Sequence, residues 1–233
     1  MILSVQRGAM QQKSPEDYSS KIVTLICAID ILRDNMLITF DGPNGAGKTT
    51  LIHAVFDRIS KEYPTRITCE PTKDLFGEYV RKNEGGLRGL SYLFLIASNR
   101  SWHVEKEITP YSNEIILCDR YIASSLALQH AEGVSLADIW SVNQFFPRPD
   151  IAFIITAPAQ DLKERLALRD NKTYFEESLS RQQEVDLFNE AYHFLKKHRI
   201  DVTIVQNPNG KERESENIIF NRITEKLKGT RHE

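Results

Sequence analysis

The stretch NMLITFDGPNGAGKTTLIHAVF, residues 35–56, places a glycine-rich segment between two apolar runs. The first run, MLITF, residues 36–40, is typical of a buried strand, and the second belongs to the helical pattern TLIHAVFDRIS, residues 50–60. Between them, GPNGAGKT, residues 42–49, has two glycines separated by four residues and followed by Lys and Thr. A strand, such a loop and a helix in that order predict a P-loop that binds a nucleoside triphosphate.

Phosphate binding explains the composition of this loop. Glycines let the backbone turn its N–H groups inward, and the N-terminus of the following helix adds partial positive charge. We expect Lys48 to bridge the β- and γ-phosphates of ATP and the Thr49 hydroxyl to hold Mg²⁺. A glycine-rich turn with an exposed lysine would use the same residues, but the flanking strand and helix favour the P-loop. The predicted ATP-binding residues are Gly42, Pro43, Asn44, Gly45, Ala46, Gly47, Lys48, Thr49 and Thr50.

From residue 36 onward, short apolar runs alternate with longer helical patterns. This alternation predicts an α/β fold with a five-stranded, mostly parallel sheet and helices on both faces. With no repeat and no low-complexity linker, residues 36–233 are predicted to form one domain. The predicted strands are residues 36–40, 66–69, 115–118, 151–155 and 201–205, and the predicted helices are 50–62, 87–108, 122–145 with a break near Gly133, 159–169, 178–198 and 212–228.

The first 35 residues differ in composition from the rest of the chain. Polar QQKSPEDYSSK, residues 11–21, leads into the apolar run IVTLICAIDIL, residues 22–32. We expect one appended helix here, with Ser14 as its N-cap and Pro15 at the first helical position. Alternatively, Met36 is the native start and this segment is an upstream extension, and the sequence leaves both readings open.

Charge and cysteine content narrow the function classes. Lys and Arg number 30 against 32 Asp and Glu, so the net charge suggests neither a nucleic-acid nor a membrane partner. The apolar run of residues 22–32 is too short to span a bilayer and has no small-residue cleavage site. Three widely spaced cysteines fit a reducing compartment, and we expect a cytoplasmic protein. The histidines show no metal-ligand spacing.

The segment IILCDRY, residues 115–121, places Asp119 at the carboxyl end of the third predicted strand. Ligands of parallel sheets collect at this end, so Asp119 is predicted to share the Mg²⁺ site with Thr49. Arg120, the next residue, is suited to clamp a second phosphate. A salt bridge to a neighbouring helix is the alternative role for Arg120.

Together with the P-loop, EPT (residues 70–72) and CDRY (residues 118–121) resemble motifs of the thymidylate kinases, within the nucleoside-monophosphate kinase group. The resemblance runs in order from about Met36 to the C-terminus. It continues through LFLIASNRSWHVEKEITP (93–110), CDRYIASSLALQ (118–129), RPDIAFIITAPAQDLKERLALRD (148–170), YFEE (174–177) and Tyr192.

This resemblance implies transfer of a phosphoryl group from ATP to a nucleoside monophosphate, most of all dTMP, with Mg²⁺ as cofactor and with two chains pairing as a homodimer. It implies a lid at about residues 165–177, whose Arg165 and Arg169 share a helical face and join Lys48 and Arg120 as catalytic residues. A solvated basic helix end is the alternative explanation for the two lid arginines. The implied acceptor-binding residues are Asp41, Glu70, Ile96, Arg100, Arg120, Ser124, Ser125 and Leu128.

Several positions depart from the family pattern. Asn44 replaces the acid usual before Gly-Ala-Gly-Lys, and Asp41 stands where glutamate is usual. Cys69 replaces an arginine before Glu-Pro. Ile96 replaces a phenylalanine that stacks on thymine, and Leu128 replaces the aromatic residue that crowds the sugar 2′ position.

These departures leave two alternatives to a dTMP kinase. One is a kinase of the same architecture that acts on another nucleotide or on a nucleoside. The other is a non-catalytic nucleotide-binding module, for which the loss of the acid at Asn44 is the best support.

Overall fold

A computed structural model describes residues 35–170 and 173–229 of the chain and contains one five-stranded sheet. Every pair of neighbouring strands is parallel, and the spatial order is β2-β3-β1-β4-β5. The predicted α/β fold is thereby confirmed, and each predicted strand is found to within one residue at either end. The strands are β1 (Met36–Asp41), β2 (Thr65–Cys69), β3 (Ile115–Asp119), β4 (Ile151–Thr156) and β5 (Val202–Gln206).

Helices cover both faces of this sheet. A π-helical segment, Val104–Ile108, continues directly from the third of them. The α-helices of the described residues are α1 (Lys48–Ile59), α2 (Leu75–Lys82), α3 (Gly89–His103), α4 (Ile122–Ala131), α5 (Leu136–Asn143), α6 (Ala159–Ala167), α7 (Tyr174–Ser178), α8 (Arg181–Lys197) and α9 (Glu212–Gly229).

Burial on both faces explains why the strands read as continuous apolar runs. In β1, Leu37 packs into the core formed with α4, α5 and α8, whereas the next residue, Ile38, packs into the core formed with α1 and α9. Ile116 and Leu117 of β3 divide between the same two cores. Alternating side chains therefore need apolar character at every position.

Three features of the helices bear on the predictions. The break near Gly133 is found, since α4 ends at Ala131 and Gly133 has φ 90°. The helices α2 and α7 were not predicted, because α2 has only eight residues with a glycine inside and α7 has only five. A usable signal for α2 was Asp74, whose side chain caps the helix by accepting from Gly77 N at 3.0 Å.

The helix predicted within residues 1–35 lies outside the described residues, apart from Asn35. Among the residues that are described, no helix combines the length and the apolar composition needed to cross a membrane.

Gly77 allows a close approach of α2 to the chain before it. A Cβ atom at residue 77 would lie 1.7 Å from the carbonyl oxygen of Thr72, so any side chain must push the two segments apart. We expect Gly77→Ala to lower the free energy of unfolding by about 1–3 kcal/mol, measured by urea denaturation. Gly86→Ala is the matched control, because its nearest non-neighbouring atom lies at 3.6 Å. Equal stability of both variants would contradict the packing described for α2.

Candidate active site

The carboxyl ends of β1 and β3 lie side by side at the centre of the sheet, with Phe40 paired to Asp119. The loop that follows β1 and the residues that follow β3 therefore meet at one edge. They open onto a cleft of about 600 Å³. Of the residues predicted from sequence, those that line this cleft are Asn44, Gly45, Gly47, Lys48, Thr49, Thr50, Glu70, Ile96, Arg100, Asp119, Arg120, Ser124, Ser125, Leu128 and Arg169.

The loop from Gly42 to Gly47 has the backbone that a P-loop requires. Gly42 has φ 140°, and a Cβ atom there would lie 1.9 Å from the carbonyl oxygen of Ile155. Gly47 has φ 86° and precedes α1 without any side-chain cap. The first N–H groups of α1 therefore have no side-chain acceptor from the cap position and lie beside the cleft, where they suit an anion.

Lys48 is buried beneath this loop, with 7% of its surface exposed. Its Nζ donates hydrogen bonds to the carbonyl oxygens of Gly42 and Pro43 at 3.0 and 2.9 Å. Burial and then the Arg120 guanidinium lower the pKa of Lys48 to about 7, although Asp119 and Glu184 act in the opposite direction. The site is thus short of negative charge around this ammonium, and a phosphate would supply it.

Thr49 and Asp119, the two predicted metal ligands, are in direct contact. The Thr49 hydroxyl donates to Asp119 Oδ2 at 2.6 Å, at the floor of the cleft. Within residues 35–170 and 173–229, no three His, Cys, Asp or Glu side chains form a group that could hold a metal. Mg²⁺ bound with a nucleotide needs only one or two protein oxygens, because phosphates and water complete its shell. The Thr49–Asp119 pair fits that requirement.

Arg120 is held in an unusual backbone conformation. Its φ is 72°, which costs on the order of 1–3 kcal/mol for a residue with a side chain. Its N–H donates to the carbonyl oxygen of Phe40 at 2.9 Å. Its Nη2 donates to Asn44 Oδ1 at 2.6 Å, and its Nη1 lies 3.4 Å from Ser124 Oγ. The guanidinium therefore faces the P-loop across the cleft.

Glu184 of α8 is a site residue that sequence reasoning missed. Its carboxylate is fully buried, accepts from Asn44 Nδ2 at 3.0 Å and lies 2.7 Å from Arg181 Nη1. Burial raises the pKa of Glu184, while Arg181 lowers it. The available signal was its spacing, because Glu184 lies on the same helical stripe as the buried Phe188, Ala191 and Leu195. A charged residue on an apolar stripe indicates a specific partner.

The opposite end of the cleft contains a buried polar network around Arg100, which is 1% exposed. Arg100 donates to Glu70 Oε2 at 2.7 Å, to Ser125 Oγ at 3.1 Å and to Asn143 Oδ1. Glu70 also contacts His103 Nδ1 at 2.9 Å. Burial alone would raise the pKa of Glu70, but Arg100 and His103 outweigh it and hold that pKa below its ordinary value. The network fixes the direction of the Arg100 guanidinium.

Apolar side chains form part of the walls between these two ends. Ile96 and Leu128 pack against a small core that includes Tyr92 and Phe175. Tyr92, Tyr174 and Phe175 also line the cleft, and sequence reasoning did not assign them to the acceptor site. Tyr174 lies so close to Gly85 that a Cβ atom there would be 2.6 Å from its ring. The part of the predicted lid that is described from residue 173 therefore rests on the segment around Gly85.

Asp41 lies below the cleft rather than in its wall, in contrast to the acceptor contact predicted for it. Its side chain is fully buried. Its Oδ1 accepts from the backbone N–H groups of Tyr121 and Ser124, both at 2.8 Å, and from Ser124 Oγ at 2.6 Å. Burial raises the pKa of Asp41. The carboxyl group thus holds the start of α4, immediately after Arg120.

Arg165 and Arg169 do not share a helical face as predicted, because α6 ends at Ala167. Arg165 lies behind the P-loop, where it donates to the carbonyl oxygens of Gly45 at 3.2 Å and Asn207 at 2.9 Å. Arg169 is half exposed, lines the cleft and pairs with Glu176 at 2.8 Å. Of the predicted site residues, those that do not line the cleft are Asp41, Gly42, Pro43, Ala46 and Arg165.

Comparison with known proteins places this geometry in a family. The family model described as "Thymidylate kinase" matches residues 40–218, which is more than half of the chain. A probable thymidylate kinase from Pyrococcus horikoshii is 35% identical over 159 residues, covering 64% of this chain and 78% of that protein. A probable thymidylate kinase from Pyrococcus abyssi is 34% identical over 160 residues, with the same two coverages.

Solved structures agree with the sequence comparisons. The crystal structure of a thymidylate kinase from Ehrlichia chaffeensis is similar with a TM-score of 0.62 and 26% identity, covering 82% of this chain and 98% of that one. A thymidylate kinase from Candida albicans has a TM-score of 0.64 at 17% identity, covering 86% and 94%, and so supports the fold alone. The chain belongs to the thymidylate kinase family.

Proposed function

We propose that the cleft transfers the γ-phosphoryl group of ATP to the phosphate of dTMP, giving ADP and dTDP. The observation that carries this proposal is the position of Arg120, whose guanidinium faces the P-loop across one cleft and is linked to it through Asn44. A protein that only bound ATP would have no use for a second phosphate clamp at that point. Family membership and the names of the relatives support the same reaction.

At the donor side, the loop from Gly42 to Gly47 and the N-terminus of α1 bind the phosphates of ATP. Lys48 exchanges its two carbonyl partners for phosphate oxygens of the β- and γ-groups. Thr49 and Asp119 hold the Mg²⁺ of the nucleotide complex, which supplies neutralising charge to the phosphates when bound. Phosphoryl transfer needs mainly positioning and charge neutralisation, and these groups provide both.

At the acceptor side, Arg120 holds the phosphate of dTMP in line with the γ-phosphate of ATP. Arg100 and Ser125 present hydrogen-bonding groups to the base at the far end of the cleft. Ile96 and Leu128 cover the base and sugar with aliphatic surface, which forgoes the roughly 0.5–1.5 kcal/mol of an aromatic stack. Arg169 approaches from the lid, and closure of the lid excludes water from the transferring group.

A panel of acceptors tests this function directly. Purified protein is supplied with ATP, Mg²⁺ and, in turn, dTMP, dUMP, UMP, dCMP, AMP and thymidine, and ADP release is measured. We expect dTMP to have the highest kcat/KM, because the chain belongs to this family and Arg100 matches the family's base-contacting arginine. A kcat/KM for another acceptor more than about tenfold above that for dTMP would identify a different substrate.

Arg120→Ala separates a kinase from a nucleotide-binding module in the same assay. We expect kcat/KM for dTMP to fall by roughly 10²–10³-fold, because one preorganised donor to a developing anion is lost. The Kd for ADP should change little. Arg222→Ala is the matched control, since Arg222 pairs with Asp201 before β5, at the opposite edge of the sheet. An equal loss of turnover and of ADP binding in Arg120→Ala would refute the role given to Arg120.

The lowered pKa of Lys48 predicts proton uptake on nucleotide binding. Near pH 8.5 the free side chain is mostly neutral, because its pKa is about 7. Bound phosphates favour the charged form and raise that pKa, so MgADP binding should take up close to one proton from solution. Titration calorimetry in buffers of different ionisation enthalpy measures this uptake.

Lys48→Arg provides the control for this titration, because arginine stays charged throughout the range and should show no such uptake. Near pH 6 the wild-type Lys48 is already protonated, so the two proteins should then behave alike. Equal proton uptake by both proteins near pH 8.5 would show that Lys48 does not titrate on binding.

A homodimer is the second part of the proposal. The exposed face of α3 contains Leu90 and Phe94, which are 55% and 56% exposed, and the adjacent α2 exposes Leu75 and Tyr79. Such a group of apolar side chains on neighbouring helices suits an interface between two copies. The family resemblance supports the same arrangement.

Phe94→Glu tests the pairing of chains. A charge at the middle of the proposed interface should convert a particle of twice the chain mass into a monomer, as measured by light scattering after size-exclusion chromatography. Ile218→Glu is the control, because Ile218 is similarly exposed, at 51%, but lies on α9. A wild-type monomer, or an unchanged Phe94→Glu dimer, would exclude this interface.

The cytoplasm is the compartment we propose for this activity, because it is reducing and contains the ATP that the reaction consumes. The cysteines of the described residues, Cys69 and Cys118, are both free thiols. Burial raises the pKa of each thiol, which keeps both in the unreactive protonated form.

A further inference from the structure

Asn44 lies between two charged groups that come from different parts of the chain. Its Oδ1 accepts from Arg120 Nη2 at 2.6 Å, and its Nδ2 donates to Glu184 Oε1 at 3.0 Å. The backbone N–H of Asn44 also points to Glu184 Oε1, at 3.4 Å. Asn44 is 7% exposed and Glu184 is fully buried, so water contributes little to this contact. The amide therefore connects α8 to the guanidinium that follows β3.

An amide makes both contacts at once without adding a charge or binding a proton. A carboxylate at residue 44, which is usual in the family, could accept from Arg120 but would place a second negative charge about 3 Å from Glu184. Two buried carboxylates at that separation repel strongly, and one of them must become protonated. The neutral hydrogen-bond donor at residue 44 is thus complementary to the negatively charged acceptor at residue 184.

Glu184 also interacts electrostatically with Lys48 and Arg120, the two cations assigned to catalysis. Its nearest cation is Arg181, at 2.7 Å, and Lys48 and Arg120 are close enough to influence its titration. The negative charge that the P-loop lacks at Asn44 is therefore present one hydrogen bond away, on α8.

We propose that Glu184 is a positioning residue for phosphoryl transfer, which orients the Asn44 amide so that its oxygen aligns the Arg120 guanidinium for the acceptor phosphate. This role rests on the proposed function. Glu184 touches neither substrate and acts through Asn44. In this chain the P-loop carboxylate is thus replaced by an amide and a carboxylate from another helix.

A double-mutant cycle tests the proposal, using Asn44→Asp, Glu184→Gln and the double variant N44D/E184Q. Asn44→Asp brings two carboxylates together, so we expect kcat/KM for dTMP to fall by about 10- to 100-fold. Glu184→Gln retains an acceptor oxygen but loses the charge, and we expect a loss of about 3- to 10-fold. In the double variant the new amide on α8 can donate to the new carboxylate of the P-loop, which restores the pair with its polarity reversed.

The decisive result is the behaviour of the double variant. We expect its kcat/KM to return to within about threefold of wild type, with the Kd for ADP of Glu184→Gln close to that of wild type. A loss equal to the product of the two single losses would overturn the proposal. So would a loss confined to thermal stability, since a structural role alone would not move kcat/KM for dTMP.

Two further measurements keep the outcomes distinct. Glu190→Gln is the matched control on α8, because its side chain is 54% exposed and 3.5 Å from His130, and it should leave kcat/KM unchanged. Thermal unfolding of the four proteins reports the pairing of residues 44 and 184 independently of turnover. If wild type shows no dTMP-dependent turnover, the proposed function fails and the positioning role is overturned with it, whereas normal wild-type turnover with additive variants overturns the positioning role alone.

Discussion

The Arg120 N–H donates a hydrogen bond to the carbonyl oxygen of Phe40. This bond fixes the distance between the P-loop, which follows β1, and Arg120, which follows β3. Phe40 is the last residue but one of β1, and Asp119 beside it ends β3, so this contact continues the sheet one step beyond the strand pairing. The P-loop leaves β1 and the Arg120 side chain leaves β3 from that point. Neither can move along the sheet without breaking the parallel ladder.

Arg120 needs support to stay in its left-handed conformation, and Asp41 provides it. The Asp41 carboxyl group accepts from Tyr121 N, Ser124 N and Ser124 Oγ, which anchors the backbone directly after Arg120. Strained residues persist where several contacts determine them together, and they are concentrated at functional sites. Asp41 therefore supports the backbone that positions Arg120.

Electrostatics divide the cleft into two regions. Burial and then the nearby Arg120 guanidinium disfavour the charged form of Lys48, and its pKa falls to about 7. Asp119 and Glu184 relieve only part of this repulsion, so an incoming polyphosphate is stabilised by both cations at once. At the base end, Glu70 compensates Arg100 and leaves a neutral, hydrogen-bonding surface. The end of the cleft with Lys48 and Arg120 thus has excess positive charge, whereas the end with Arg100 and Glu70 does not.

Local patterns made most of the fold predictable from sequence, whereas long-range contacts did not. The strands were found to within one residue, because burial on both faces leaves continuous apolar runs such as MLITF. The P-loop and the Asp119–Arg120 pair were equally visible, because each is a short motif at the end of a strand. Glu184 was missed because α8 reaches the P-loop only through tertiary packing. Tyr92 was missed although Ile96 and Arg100 on the same helix were assigned to the site. The positions of Arg165 and Arg169 depended on where α6 ends, and residue spacing does not determine a helix end.

The most direct test is a crystal structure of the protein with adenosine and thymidine joined by a chain of phosphates. Phosphate oxygens of one continuous chain should lie within hydrogen-bond distance of both Lys48 Nζ and the Arg120 guanidinium, with thymine directed to Arg100. A complex in which the adenosine half occupies the P-loop while no phosphate lies beside Arg120 would contradict the account, and only a nucleotide-binding site would remain.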